Sequence, residues 1–121
     1  MLMVKPDLHR YAQGMAFKYR WLNQALDDMD QEIGYVRYEF GENTARKVES
    51  KIHERVINLC AFPYLGMNYE GLKHQGNAVR ILHIKQISLI YSIDGNMITL
   101  IALWNNRRDE KMLKSMIDSR Q

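Results

Sequence analysis

The C-terminal half leaves this chain few choices of fold. Three strand-like runs, Asn77 to Ile84, Ile87 to Ile93 and Met97 to Trp104, follow one another with almost nothing between them. Links that short join antiparallel neighbours and leave no room for a crossover helix. Asp94-Gly95-Asn96 is a strong hairpin signal, and Lys85-Gln86 makes the shorter turn before it. The expected product is an antiparallel meander. Arg80, His83, Lys85, Arg107 and Arg108 sit inside or just after this stretch. A small antiparallel sheet needs one apolar face to fold, so its second face or its rim is free to carry a cationic cleft for a phosphate-rich partner.

Upstream the period of the pattern becomes helical. Leu22, Leu26, Met29, Ile33, Val36 and Phe40 fall on one stripe. Asn23 is the expected N-cap, Asp27, Asp28 and Asp30 crowd the early turns, and Gly41 ends the helix. A second helix is predicted from Asn43 to Cys60, with Ala45, Val48, Ile52, Val56 and Leu59 inward, Asn43 or Thr44 as cap, and Phe62-Pro63 as stop. The short link makes the two an antiparallel hairpin. Each has one apolar stripe and needs the sheet to pack on. Phe17 to Trp21 suits a short strand, Tyr64 to Gln75 reads as a loop with glycines at 66 and 71, and Glu110 to Ile117 as a short helix. The fold class is therefore α+β. Residues 15–121 form one domain, and residues 1–14 are expected to be a loosely ordered extension or an oligomer contact.

A chain of 121 residues can build a sufficient core without disulfides or metal. Its single cysteine, Cys60, excludes an internal disulfide and a multi-cysteine zinc site, and reads as a buried structural thiol. No apolar run approaches the roughly 20 residues needed to span a bilayer, and Lys5, Pro6, Asp7, His9 and Arg10 interrupt any signal-peptide core. A cytoplasmic location without membrane contact follows as the expectation. The net charge of +3 is uneven. Asn23 to Gly66 carries eight acidic residues against five basic, whereas Gly71 to Gln121 carries eight basic against four acidic. An acidic helical part and a basic sheet part suggest an anionic partner for the sheet.

The order of elements and the residues at each point resemble the RelE/ParE superfamily of toxins from bacterial type II toxin–antitoxin modules. The likeness runs from about Phe17 to Ile117. Phe40-Gly41-Glu42-Asn43-Thr44-Ala45 resembles the family's inter-helix turn, and Leu59-Cys60-Ala61-Phe62-Pro63-Tyr64-Leu65-Gly66 its helix exit. Val79-Arg80-Ile81 followed by Leu89-Ile90-Tyr91-Ser92-Ile93-Asp94 is similar to its central hairpin, and Trp104-Asn105-Asn106-Arg107-Arg108-Asp109 to its strand end. The resemblance implies a four-stranded antiparallel sheet with a helical hairpin on one face. It implies no cofactor and no metal. It implies a cognate antitoxin as partner, with a partly disordered segment that folds on binding. A homodimer is compatible with it. The target is either DNA gyrase, bound and poisoned by ParE-like members, or the ribosome with messenger RNA, cut by RelE-like members.

RNA cleavage of that kind uses the substrate's own 2′-hydroxyl, so the protein must move protons and stabilise a doubly charged phosphorane. For a metal-independent endoribonuclease the resemblance points to Arg80, Arg107 and Arg108 as catalytic. Lys73, Lys85, Arg107 and Arg108 are the expected nucleic-acid or target contacts. His83 has the right pKa class for proton transfer, but strand alternation groups it with Val79 and Ile81, which are expected to face the helices. Several RelE-like nucleases keep a histidine or tyrosine after the last strand, and here no His or Tyr follows Tyr91. An arginine is a poor general acid. The balance favours a binding toxin, with the nuclease second and a degenerate non-toxic member third.

Overall fold

In the computed structural model, which describes residues 17–121, the expected elements occur in the expected order with one addition. Strand β1 (Lys18–Trp21) leads into helices α1 (Asn23–Phe40) and α2 (Glu42–Ala61). Strands β2 (Met67–His74), β3 (Asn77–Ile84), β4 (Ile87–Asp94) and β5 (Met97–Asn105) follow, and α3 (Glu110–Ser119) ends the chain. The expected extension, residues 1–14, lies outside the described residues.

The five strands form one sheet in the order β1-β5-β4-β3-β2. β3, β4 and β5 make the expected antiparallel meander, and β1 lies parallel to β5 at one edge. The addition is β2, antiparallel to β3 at the other edge, where the sequence reads as a loop. Met67-Asn68-Tyr69-Glu70-Gly71-Leu72 has no apolar alternation because an edge strand with an exposed surface needs none. Gln75 and Gly76 both take positive φ (49° and 85°), the backbone of a tight primed turn, and return the chain into β3. The sheet thus has five strands rather than four and is mixed rather than wholly antiparallel, within the expected α+β architecture.

Both faces of the sheet are apolar. Leu89, Tyr91, Ile98, Leu100 and Leu103 meet Met29, Ile33, Val36, Ala45, Ile52, Val56, Leu59 and Cys60 of the helical hairpin. Val79, Ile90, Ile101, Ala102 and Trp104 meet Leu113 and Ile117 of α3. A bulge opposite Ile90/Tyr91 adds one residue to β5, so Ile101 and Ala102 both turn to the α3 side. No face is left over for a cationic cleft, and of the basic groups in question Lys85, Arg107 and Arg108 lie at one end of the sheet while Arg80 stays mid-strand. Val79 and Ile81 belong to the α3 side, opposite to the expectation, and His83 goes with them.

The helices follow the predicted stripes with local shifts. α1 buries Ala25, Met29, Ile33 and Val36, while Leu26 and Phe40 stay exposed, because the small Ala25 lets the helix sit closer to β5. Phe40 instead meets Tyr35 edge-on at 6.5 Å. Neither Asn23 nor Asn43 nor Thr44 caps: Leu22 and Gly41 hold the N-cap positions without side-chain bonds. Gly41, at φ 94°, ends α1 and begins α2 within one residue, a turn that only glycine takes without strain. Cys60 is buried, and burial pushes its thiol pKa up to about 11. Met29 is buried in the hairpin-side core, and Met116 packs partly buried beside Leu113 and Ile117. Among the described residues no helix is long and apolar enough to cross a membrane.

Candidate functional site

At the end of the sheet where β3 turns into β4 and β5 stops, the two chain turns are tied together. The Asn106 amide donates to the Gln86 carbonyl at 2.8 Å, and Asn106 Nδ2 donates to the Lys85 carbonyl at 3.3 Å. This stitching brings Lys85, Arg107 and Arg108 to one end, as three of the expected contact residues. Arg108 lies over the Trp104 ring at 4.3 Å, a cation–π contact that holds the guanidinium at the sheet end. The Arg107 amide donates to Asn105 Oδ1 at 2.9 Å, which turns the chain out of β5. Asp109 then caps α3 by accepting from the Lys111 amide at 3.0 Å.

His83 belongs to this cluster. It stands across from Ser88 on β4, and Ser88 stands across from Trp104 on β5. Ser88 Oγ donates to Asn106 Oδ1 at 2.7 Å, and the Asn106 amide orientation is fixed by its bond to Lys85. The Ser88 proton being engaged, His83 Nδ1 must donate across the 2.7 Å to Ser88 Oγ. The ring is therefore held through Nδ1, on a side chain that is otherwise exposed. The sequence signal for this chain of bonds was Ser88 itself, a polar residue in the otherwise apolar Ile87-Ser88-Leu89-Ile90 run, because a buried hydroxyl needs a partner.

Arg80 is placed elsewhere and is engaged. Its Nε and Nη2 donate to the Gly66 carbonyl at 3.1 and 2.6 Å, and Nη2 also reaches the Tyr64 carbonyl at 3.3 Å. The guanidinium lies 5.1 Å from the Tyr64 ring. Tyr91 completes this clamp, donating to the Pro63 carbonyl at 2.7 Å and accepting from the Gly66 amide at 2.9 Å. Burial raises the Tyr91 phenol pKa, against a smaller opposite pull from the Gly66 amide and Arg80. Strand alternation sets Arg80 opposite in face to His83 and Ser88. The structure thus gathers Arg107 and Arg108 but does not bring Arg80 to them. Lys73, paired with Ala78, lies toward the far end of the sheet, where Gln121 Nε2 donates to its carbonyl at 2.9 Å.

Two hollows flank the Lys85 turn. One, of about 340 Å³, lies between α1 and the end of β5, with Glu32 and Asp28 facing Arg107 and Arg108. The other, of about 430 Å³, lies between the helical hairpin and the β3–β4 turn.

A family model for the ParE toxin of type II toxin–antitoxin systems (parDE) matches residues 19–110. The chain belongs to that family. The match spans β1 through the cap of α3, and so includes the Arg80 clamp and the whole strand-end cluster. Among solved structures, one described as the chromosomal ParDE TA system from P. aeruginosa has the same fold, with a TM-score of 0.61. That chain is 21% identical, and the alignment covers 74% of this ParE-family chain and 95% of the other. No curated protein matches.

Proposed function

We propose that this ParE-family toxin stops growth in the cytoplasm by binding an essential target, DNA gyrase, without cutting nucleic acid itself, and that a cognate antitoxin neutralises it. The observation that carries the reading is the family match across residues 19–110. The geometry supports it. A nuclease built on Arg80 with Arg107 and Arg108 needs all three around one phosphate, and Arg80 is engaged with the Gly66 and Tyr64 carbonyls away from the other two. Arg107, Arg108 and Lys85 are then contacts for the target, with Lys73 a separate contact at the other end.

One observation favours a second reading, a metal-independent messenger-RNA endoribonuclease. His83, the one side chain there with the pKa class for proton transfer, shares the strand-end cluster with Arg108, a fixed positive charge. The two readings part in a paired assay. Purified protein is added to a gyrase supercoiling and DNA-cleavage reaction, and separately to a translation reaction whose messenger-RNA 5′ ends are mapped. The expected outcome is trapped gyrase–DNA cleavage complexes with intact RNA. Codon-spaced cuts that need translating ribosomes and vanish in His83→Ala, with gyrase untouched, would replace the first reading by the second.

A further inference from the structure

Each tight turn between the sheet's antiparallel strands contains backbone of positive φ. Gly95 supplies it between β4 and β5, at 61°, and Gly76 between β2 and β3, at 85°, with Gln75 beside it at 49°. Glycine takes such a backbone without strain. The β3–β4 turn has no glycine and uses Lys85 instead, at φ 58°. There the Cβ of an L-residue crowds the following carbonyl oxygen, so lysine is a costly occupant of a position that glycine fills freely. Lys85 is also exposed, so no burial of its side chain offsets the strain. Strain kept at an exposed cation marks a side chain that is needed where it stands.

Asn106 holds this turn. Its amide donates to the Gln86 carbonyl at 2.8 Å and its Nδ2 to the Lys85 carbonyl at 3.3 Å, so both turn residues are tied to the end of β5. The side chain is itself anchored, because Oδ1 accepts from Ser88 Oγ at 2.7 Å. Ser88 is fully buried and takes a further bond, of 2.7 Å, from His83. Asn106 is an exposed residue, yet its amide, Nδ2 and Oδ1 are all engaged with its own sheet end. Arg107 and Arg108 follow it directly in the chain, so one residue joins the strained lysine to the two arginines.

Resting on the target-binding reading above, we infer that Asn106 is a positioning residue of the target-contact site. It holds Lys85 in its left-handed backbone and ties that turn to the start of Arg107-Arg108, so the cations meet an anionic surface of gyrase already in place. A cation on a free turn loses backbone freedom when it binds, whereas one already fixed does not. The tie therefore strengthens binding without touching the target.

The test uses the full-length toxin, isotopically labelled, with purified gyrase. Asn106→Ala removes the side-chain tie and leaves every cation in the chain. Expected are about a tenfold weaker inhibition of gyrase and Lys85 Cα and Cβ signals that move out of the left-handed range, with the rest of the amide spectrum kept. Lys85→Gly relieves the strain and removes the charge. It should keep or raise Tm and still weaken inhibition about tenfold, a split that a purely structural lysine would not show. Lys85→Arg keeps a cation on the same backbone and should retain inhibition. Full inhibition by Asn106→Ala or by Lys85→Gly would overturn the inference. So would Lys85 signals that stay in place in Asn106→Ala, or a loss in Lys85→Arg equal to that in Lys85→Gly. Absence of gyrase inhibition by the unaltered toxin would instead sink the target reading. The Lys85 signals in Asn106→Ala then decide the positioning by themselves: movement upholds it, and unchanged signals overturn it.

Discussion

The two edges of the sheet solve the same problem with different chemistry. An unpaired strand edge is a template for another chain. At the β5 edge, β1 covers Met97 to Leu100 and stops. Beyond it, side chains take the place of a strand. Arg120 donates to the Ile101 carbonyl at 2.9 Å, and Asp28 accepts from the Leu103 amide at 3.1 Å. The two are themselves joined in a bidentate pair at 2.6 and 2.9 Å, with only 11% and 15% of their side chains exposed. At the β2 edge there is no such pair. β2 is crumpled instead: it advances from Asn68 to Lys73 while its partner moves only from Arg80 to Ala78, and Gly71 sits at φ 84° inside the irregularity. Its ends are fastened by the Tyr91–Arg80 clamp on Gly66 and by His74 donating to the Arg120 carbonyl at 2.8 Å. One edge is closed by charge and the other by distortion. Neither invites strand addition.

The largest effect is expected at the β5 edge. Asp28→Ala leaves the Arg120 guanidinium without its carboxylate and the Leu103 amide without an acceptor. Loss of one partner of a mostly buried pair costs about 3 kcal/mol, which for a domain of this size lowers Tm by roughly 10 °C. Replacing both, Asp28→Leu with Arg120→Met, should recover most of that loss while leaving the edge bare, and so produce concentration-dependent self-association. Thermal melts and sedimentation of the two variants check this. A drop of under about 1 kcal/mol for Asp28→Ala would mean that the pair behaves as a solvated surface bridge.

The β2 edge should answer next to Gly66→Ala. A Cβ there would stand 2.8 Å from both the Ile81 carbonyl oxygen and the Tyr91 hydroxyl. Neither can move freely, since one is strand backbone and the other is bonded to Pro63. The Tyr91 ring carbon Cε1 is as close, at 2.9 Å, so the expected cost is about 2 kcal/mol by urea unfolding. A loss of under about 0.5 kcal/mol would mean that β2 shifts outward to admit the methyl.

The helical hairpin and the β3–β5 meander follow from periodicity and turn residues, signals that lie within a few positions of one another. Gathering of Lys85, Arg107 and Arg108 at one end follows from the meander alone. β2 was hidden because an irregular edge strand lacks alternation and carries glycines that elsewhere mark a loop. The facing of Arg80 and His83 was hidden because Ile87 to Ser92 is buried at every position, so alternation cannot tell the hairpin side from the α3 side. The Asp28–Arg120 pair joins residues with almost the whole domain between them in sequence, and no local pattern announces it.

Alkaline pH provides the gentlest separation of the two edges. Fastenings at β2 use phenols. Tyr91 donates to Pro63, and Tyr69 donates to Glu110 at 2.8 Å, holding the start of α3. Burial, with the Glu110 carboxylate adding to it, pushes Tyr69 up to about 12, and burial also raises Tyr91. A raised folded-state pKa means that the folded chain keeps a proton which the unfolded chain releases. The stabilisation is complete below the unfolded tyrosine value of about 10 and is lost as pH rises toward 12. Cys60 acts in the same direction from about 9 to about 11. Tm should therefore fall between about pH 9 and pH 12, with a smaller fall in Tyr69→Phe. The Asp28–Arg120 pair contains no phenol or thiol, so amide signals of Leu103 should keep their positions while those around Gly66 and Tyr69 shift. Simultaneous loss at both edges would show that the clamp and the ion pair open as one cooperative unit, through Arg120, whose carbonyl serves β2 and whose guanidinium serves β5.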